Sequence, residues 1–267
     1  MPQFKEFGFA FDGIQSSDLG YYIVNATDSN DNILGLKKSI NEEDIKQTTK
    51  AFYGISLEEF EFEIDICKAN PNYDLSEIKQ ITEDDLRFLN KWLIMPREYK
   101  IFSSDQNRDI YYYAMFTGIK EKDFGNVNYL TLTMRLNAGF SYSSVMHHQY
   151  VVEGSKALNI SSKSNVDEYI YPDINIKTKG GVNQTIRITS NTLGEVMELT
   201  DLPSNRTFIC YSEDMKYIKC IEDTNMNMRQ HFNKTWLRLL GDSANSITIE
   251  GDCEIDIYFQ NKIAIQH

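Results

Sequence analysis

The most constraining feature of the sequence is a strict two-residue alternation between residues 59 and 67. The apolar set is Phe60, Phe62, Ile64 and Ile66, and the acidic set is Glu59, Glu61, Glu63 and Asp65. A period of two places each set on its own face of a β-strand, with carboxylates about 6.6 Å apart. Carboxylates cannot enter a core without partners. The segment therefore predicts a strand with one core face and one acidic face at a surface or an interface.

Length and charge limit the classes of protein to which the chain can belong. Its 267 residues predict two domains, each large enough to bury a core. The net charge of −12, from 39 acidic and 27 basic residues, argues against the basic surface that nucleic-acid binding needs. The sequence contains neither an apolar run of 18 residues nor a secretory signal pattern. Synthesis and folding in a cytoplasm are therefore expected, with no membrane partner.

The first half of the sequence predicts β-strands and one helix. Phe7, Phe9 and Phe11 alternate with small residues before an Asp12-Gly13 turn, which predicts that the segment from Phe4 to Val24 forms a strand, a turn and a second strand. A helix is predicted from Glu83 to Leu93. It begins with a capping-box pattern, Thr82 with Asp85, and carries an apolar stripe that includes Trp92.

The second half of the sequence predicts a separate β-domain. Residues 141–154 mix Gly, Ser and the pair His147-His148 without either period, and are predicted to be a linker. From Tyr169 onward short strands follow one another with Gly, Asn and Asp between them, which is typical of a sandwich. The segment beginning at Trp236 is interpreted as a further apolar strand. The predicted domains are residues 1–140 and 155–267.

A search for chemistry finds no catalytic, cofactor-binding or metal-binding motif. The four histidines do not form a motif, and the four cysteines lack metal spacing, so buried reduced thiols are expected. The acidic stripe from Glu59 to Asp65 permits a carboxylate pair for glycoside hydrolysis or a cation site. Both need acids from a second strand, so a solvated or interface face is favoured. No catalytic residue, cofactor or metal is predicted.

Several segments, taken in order, resemble one family. They are the opening Phe-x-Phe-Asp-Gly-x-x-Ser-Ser-Asp-Leu-Gly, the helix end Asn90-Lys-Trp-Leu93, the strands 99–105, 109–114 and 129–136, and the closing Asn245-Ser-Ile-Thr-Ile-Glu-Gly251. Together they are similar to the distal tail proteins of long-tailed bacteriophages that infect Gram-positive bacteria. The order and spacing match over nearly the whole chain.

The resemblance implies a fold and an assembly. The fold is mainly β: an N-terminal β-sandwich domain with one α-helix, which forms the ring, then a C-terminal galectin-like jelly-roll β-sandwich. Six copies would form a homohexameric ring at the tail tip or baseplate of the virion, with DNA passing through its channel without specific binding. The implied partners are the tail tube protein, a tail-associated lysin-type hub protein and a receptor-binding protein. The chain lacks the long insertion that carries a carbohydrate-binding module in some relatives.

The same resemblance gives two surfaces an expected role. The acidic face of Glu59, Glu61, Glu63 and Asp65 is expected to line the ring lumen, where it would repel DNA, or to meet a neighbouring subunit. The second surface is the loop from Asp12 to Gly20. It is expected to contact a neighbouring subunit through Asp12, Gly13, Ser16, Ser17 and Asp18.

Two other functions remain open in the sequence. The first is a carbohydrate-binding jelly-roll module for attachment to a host cell wall, in which Trp236, Tyr211 or Tyr217 would stack on sugars. Core packing is the favoured interpretation of Trp236, because it begins an alternating apolar segment. The second is a tail-tip hydrolase, which would need acids brought together from separate strands.

Overall fold

The computed structural model describes residues 8–24, 38–46, 49–57, 60–70, 78–105, 107–124, 127–212 and 216–264. The chain divides into two compact units. The first runs to Ser141 and also includes Ala264, and the second runs from Tyr142 to Ile263. The predicted mainly β architecture, with one helix and two domains, is confirmed.

Nine strands and one helix make up most of the first unit. The strands are β1 (Phe9–Phe11), β2 (Ile14–Gln15), β3 (Tyr21–Val24), β4 (Lys38–Lys46), β5 (Thr49–Leu57), β6 (Phe60–Lys68), β7 (Lys100–Ser104), β8 (Asn107–Phe124) and β9 (Val127–Leu136). Seven of them follow one another along a nine-stranded sheet in the order β2-β1-β7-β8-β9-β6-β3. Strands β4 and β5 form a separate two-stranded sheet.

The opening segment forms a hairpin, but its third strand joins the opposite edge of the sheet. Strands β1 and β2 pair around the predicted Asp12-Gly13 turn, whereas β3 pairs with β6. The strand predicted around Tyr22 and Val24 therefore forms, but it pairs with β6 and not with the first strand. A flat path of seven strands would be about 29 Å wide, beyond the roughly 22 Å that the chain from Gln15 to Tyr21 can span. The sheet must therefore curl so that its edges approach each other.

The helix begins at the predicted cap. Helix α1 (Glu83–Leu89) follows Thr82, whose side chain accepts a hydrogen bond from the Asp85 amide, and the Asp85 carboxylate accepts one from the Thr82 amide. A π-helical turn continues it over Asn90–Ile94. This turn buries Trp92, whose indole N–H donates to the Phe11 carbonyl at 3.2 Å. The helix is therefore tied to the opening hairpin.

Aromatic rings fill much of the first core. The rings of Phe9 and Trp92 stack with centroids 5.7 Å apart, and Phe11 meets Phe116 edge-on at 5.0 Å. The other fully buried members are aliphatic side chains from the sheet and the helix, among them Ile66, Leu89, Leu93, Leu132 and Met134. The predicted core position of Ile66 is confirmed. The side chains of Phe60 and Phe62 lie outside the described residues.

The second unit consists mainly of two sheets. Its strands are β11 (Met146–Val152), β12 (Ser155–Ser162), β13 (Asp173–Thr178), β14 (Gln184–Ser190), β15 (Glu195–Leu202), β16 (Thr207–Tyr211), β17 (Tyr217–Cys220), β18 (Ser243–Glu250) and β19 (Cys253–Phe259). One sheet has the order β11-β19-β13-β16-β17 and the other β12-β18-β14-β15. Strands β10 (Phe140–Ser143) and β20 (Lys262–Ala264) pair with each other and are the other two strands of the nine-stranded sheet.

The second core is mainly aliphatic and receives side chains from both sheets. Ile174, Ile255 and Ile257 come from the sheet that contains β13 and β19. Ile188 and Ile249 come from the sheet that contains β14 and β18. One cluster drawn from two sheets is the arrangement of a sandwich. The galectin-like jelly-roll connectivity remains a prediction.

Two predicted segments of the second half differ in the structure. Residues 141–154, expected to be a linker, contain β11, which pairs with β19 from Met146 to Val152. Its pattern is weak because β11 is an edge strand with only one well-buried side chain, Val152. The segment after Trp236 is not a strand, since Leu239 makes a single bridge to Ile170. Leu237 and Leu239 nevertheless enter the core, which accounts for the alternation.

Candidate functional site

The predicted acidic face lies on β6, in the interior of the first sheet. Strand β6 pairs with β9, and β9 pairs with β8, so side chains from these two strands flank the carboxylates. Glu59 lies outside the described residues. Glu61 and Glu63 are exposed, whereas Asp65 is buried. The stripe therefore passes from solvent into the protein along one strand.

Glu63 binds a lysine from β8. The Lys120 ammonium donates to a Glu63 carboxylate oxygen at 2.7 Å, reaching across β9. This hydrogen bond lowers the pKa of Glu63. Both side chains are half exposed or more, so the pair is screened by solvent.

Asp65 is held by two donors at the buried end of the stripe. The Lys122 ammonium lies 3.1 and 3.2 Å from its two carboxylate oxygens, and the Thr131 hydroxyl donates to one of them. Just after Asp65 in the chain, Cys67 and Ala69 form a small apolar cluster with Tyr22 and Val24 of the neighbouring strand β3. Asp65 therefore satisfies the requirement that a buried carboxylate has partners.

The described part of this face is balanced in charge. Glu61 lies directly opposite Arg135 in the β6–β9 register, and Lys120 and Lys122 bind the other two acids. Three carboxylates thus have three cations beside them. The strand periodicity revealed the acids, but the lysines of β8 follow no pattern that links them to β6 in sequence. The face is a mixed-charge surface rather than a uniformly negative one.

The loop from Asp12 to Gly20 divides into exposed and buried parts. Asp12 and Gly13 occupy the turn with φ of 51° and 77°, and both are exposed. Asp18 is exposed within a 3-10 turn, Ser17–Leu19, and Ser17 is half-buried. These positions are available to a partner.

Ser16 belongs to the folded interior of this loop. It is fully buried, and its hydroxyl accepts a hydrogen bond from the Phe9 amide at 2.9 Å. Ser16 therefore presents no exposed side chain to a neighbour, and the contact predicted for this loop remains a prediction for its exposed positions. Gly20 ends the loop at φ 80°, where a β-carbon would lie 2.6 Å from the Ala69 carbonyl oxygen. Ser16 and Gly20 shape the loop so that the exposed positions project from it.

The hairpin of β4 and β5 is a surface that the sequence did not single out. Within the described residues these two strands pair only with each other. Ile40, Phe52 and Tyr53 are 59, 64 and 67% exposed. A hairpin without a third strand or a covering helix is marginally stable in water. The sequence feature that could have indicated this surface is the presence of these three large apolar residues within a polar segment.

Two of the three proposed sugar-stacking residues line one cavity in the second unit. Trp236 and Tyr217 share its wall with Phe232, and the rings of Trp236 and Phe232 meet at 4.9 Å. Tyr211 lies behind Tyr217, with ring centroids 4.8 Å apart. Trp236 packs partly against the core, as the alternation predicted.

Groups for catalysis or metal binding are sparse in the part of the chain that is described. It contains no cluster of three or more His, Cys, Asp or Glu side chains that could hold a metal ion. All four cysteines are buried and free, as predicted, and burial raises the pKa of Cys253 to about 11. Among the same residues, no helix has the length and apolar character needed to cross a membrane.

Comparison with solved structures identifies proteins of similar fold. The crystal structure of the Dit protein (gp 19.1) of phage SPP1, described as a paradigm of the hub adsorption apparatus in phages that infect Gram-positive bacteria, matches with a TM-score of 0.68. The two share 14% identity, and the match covers 95% of this chain and 98% of that one.

Two structures of the phage P2 baseplate in its activated conformation also match. The one with Ca gives a TM-score of 0.55 and the one with Sr gives 0.51, each at 8% identity. Both matches cover 97% of this chain and 99% of the other. These likenesses establish the fold.

Family models match almost the entire sequence. A model described as a phage tail protein N-terminal domain matches residues 4–138, and one described as a phage tail C-terminal domain matches residues 140–259. A search of curated proteins gave no match. The chain belongs to the family of phage tail proteins that these two domains define.

Proposed function

We propose that this protein is the hub subunit of a phage tail tip or baseplate, a structural component of the virion without enzymatic activity. The observation that carries the proposal is the match of fold to the SPP1 Dit hub protein over 95% of this chain and 98% of that one. Because both chains are covered almost completely, neither unit is an unrelated addition.

The proposed assembly is a homohexameric ring. It joins the tail tube protein to a lysin-type hub protein and to receptor-binding proteins, and DNA passes through its channel. Assembly takes place in the host cytoplasm. A closed ring of identical subunits requires a head-to-tail contact in which one surface meets a different surface of the next copy.

The β4–β5 hairpin is the proposed first half of that contact. Phe52 and Tyr53 expose apolar area that a monomer would leave in water. Covering the hairpin with a neighbouring subunit would bury this area and stabilise a sheet of only two strands. The exposed loop positions Asp12, Gly13 and Asp18 are a second candidate contact.

Of the two locations expected for the acidic face, contact with a neighbour agrees better with its charges. A lumen wall that repels DNA needs a net negative surface, and Lys120, Lys122 and Arg135 offset the described carboxylates. A surface of interleaved charges instead selects one orientation of a partner. We therefore propose that Glu61 and Glu63 contribute to subunit orientation.

Electron microscopy and native mass spectrometry of the purified protein test the ring. Six-fold rings are expected for the parent chain. Phe52→Ser is expected to shift the population toward monomers because it removes apolar area from the hairpin. Ile221→Ser, at a residue 45% exposed in the second unit, is the control and is expected to leave the rings intact. A parent chain that remains monomeric at high concentration would contradict the proposal.

A further inference from the structure

The second unit contains a cavity whose composition differs from the acidic character of the chain. It measures about 520 Å³ and lies between edge strand β17 and the irregular segment 226–236. Three of its lining side chains are cations, Lys216, Arg229 and Lys234, and none of the described lining residues is an acid. The whole chain carries a net charge of −12. The cavity is thus a local cationic site on an acidic protein.

The cavity cations are not neutralised by the described carboxylates. Other basic residues of this unit, such as Lys179, Arg187 and Arg238, each pair with a glutamate. Arg229 and Lys234 form no ion pair with any carboxylate that the structure describes, and neither does Lys216, which lies over the Tyr171 ring at 4.8 Å. Within the described residues, no carboxylate therefore competes with a ligand for these three cations.

The backbone places two of these lysines in an unusual conformation. Lys216 and Lys234 have φ of 48° and 67°, in the left-handed region that favours glycine and asparagine. Such strain in residues other than glycine is concentrated at ligand clamps and switch regions. Both strained lysines line the same cavity, so the strain coincides with the unpaired charge.

The remaining lining residues are three aromatic rings, the apolar side chains of Ile218, Met226 and Met228, and Asn227. Tyr217 is 39% exposed, and Phe232 and Trp236 are half-buried beside it. Aromatic rings offer apolar surface with a polar edge or tip, which suits a ligand that has both C–H faces and hydroxyl groups. The side-chain amide of Asn227 adds a further group for hydrogen bonding, although its oxygen already accepts from the Arg229 amide. The cavity volume is in the range of small-ligand sites.

We propose that this cavity binds an anionic saccharide, a sugar ring that carries a carboxylate or a phosphate. The cations provide charge-assisted hydrogen bonds to the anion, and the aromatic rings pack against the sugar. An acidic peptide would use the same cations, but peptides are commonly bound as strands along a sheet edge or as helices in a groove. A compact cavity flanked by three aromatic rings favours the saccharide.

Calorimetric titration of the full-length protein at low salt tests the site with a matched pair of probes. Trigalacturonate carries the anion, and its methyl ester has the same rings without the charge. Saturable binding is expected for trigalacturonate, with the ester weaker by roughly tenfold or more. Equal binding of trigalacturonate and its ester, or no binding of either trigalacturonate or glucose 6-phosphate, would overturn the proposal.

Phosphate and peptide probes distinguish the other sources of negative charge. Glucose 6-phosphate that binds more tightly than glucose and inorganic phosphate would support the proposal with a phosphate as the anion. Inorganic phosphate that binds as tightly as the sugar phosphate would overturn it, since the sugar would then contribute nothing. Hexaglutamate that binds more tightly than trigalacturonate would overturn it in favour of an acidic protein partner.

Variants locate the binding within the cavity. Lys216→Asn and Lys234→Asn remove the charges and keep a residue that tolerates the left-handed backbone, and each is expected to weaken trigalacturonate binding by roughly three- to tenfold. Tyr217→Ala tests the aromatic wall without opening the core. Lys163→Asn, at an exposed lysine outside the cavity lining, is the control and should leave affinity unchanged. Unchanged affinity in all three cavity variants would overturn the proposal.

The proposal of a saccharide site and the proposal of a ring can be refuted independently. Ring formation is measured by mass and microscopy, whereas saccharide binding is measured by heat on the same preparation. Phe52→Ser changes a residue of the first unit and should affect only the former measurement. Rings without saccharide binding would leave the hub function standing and remove the saccharide site.

Discussion

The two units of this protein bury cores of different chemistry. The first relies on large rings, among them Phe9, Phe116 and Trp92, whereas the second is lined mainly by isoleucine, leucine and valine from two sheets. An aromatic core concentrates buried area in few side chains, and an aliphatic core distributes it over many. The first unit should therefore be more sensitive to a single truncation.

The units also differ in what they leave at the surface. The first exposes Phe52 and Tyr53 on an isolated hairpin, while the second presents a cationic cavity with partly buried rings. A sandwich whose sheets cover each other does not need a neighbour to complete its core. A hairpin with exposed apolar side chains is stabilised by one. This contrast supports the proposals that the first unit carries an assembly contact and that the second unit binds a small ligand.

The largest expected effect comes from Trp92→Ala. The change removes the ring stacked on Phe9 and the hydrogen bond to Phe11, and it is expected to lower the free energy of unfolding by about 3–5 kcal/mol. Ile255→Val in the second core should cost only about 0.5–1.5 kcal/mol. Calorimetry checks both values, with Met95→Ala, an exposed position just after the same helical turn, as the control. Equal losses for the two core variants would contradict the comparison.

A smaller effect is expected from Asp85→Asn, which tests how the helix is tied to the sheet. Asp85 accepts hydrogen bonds from Lys68, Tyr21 and Thr82. Burial acts to raise the pKa of Asp85, but these hydrogen bonds outweigh it and hold the pKa below its usual value. The substitution should cost about 1.5–3 kcal/mol at neutral pH.

The sign of the pH dependence follows from that lowered pKa. The ionised carboxylate stabilises the fold above the unfolded pKa of about 3.9, and this contribution is lost as the pH falls through the folded pKa. Asp85→Asn should therefore flatten the acid limb of a stability curve measured by denaturant unfolding. Asp84→Asn is the control, because its side chain is 91% exposed. Identical acid limbs in the parent and Asp85→Asn would refute the assignment.

The smallest effect is expected from Glu63→Gln on the mixed-charge face. Because the pair with Lys120 is open to solvent, its loss should shift the thermal midpoint by no more than about 2 °C. Ring formation is the more sensitive measurement, since interleaved charges orient a partner. A large loss of stability with intact rings would show that this face supports the fold rather than assembly.

Much of the fold could be predicted from local patterns. The helix cap at Thr82, the Asp12-Gly13 turn and the strand over residues 60–68 each rest on neighbouring residues, and all three appear in the structure. Strand β11 was missed because an edge strand with one covered side alternates only weakly. The strand predicted at Trp236 was wrong for the opposite reason. Alternate side chains of an irregular segment can also enter a core and so imitate the pattern of a strand.

The sequence by itself determined the mainly β class, the capped helix and the acidic stripe of β6, because periodicity and capping act over a few residues. Only the tertiary structure decided which groups meet across long separations. It placed β3 at the far edge of the first sheet and Lys120 beside Glu63, 57 residues apart in the chain. It also brought Lys216 and Lys234 to one cavity. Strand order and loop path set such contacts, and no local pattern encodes them.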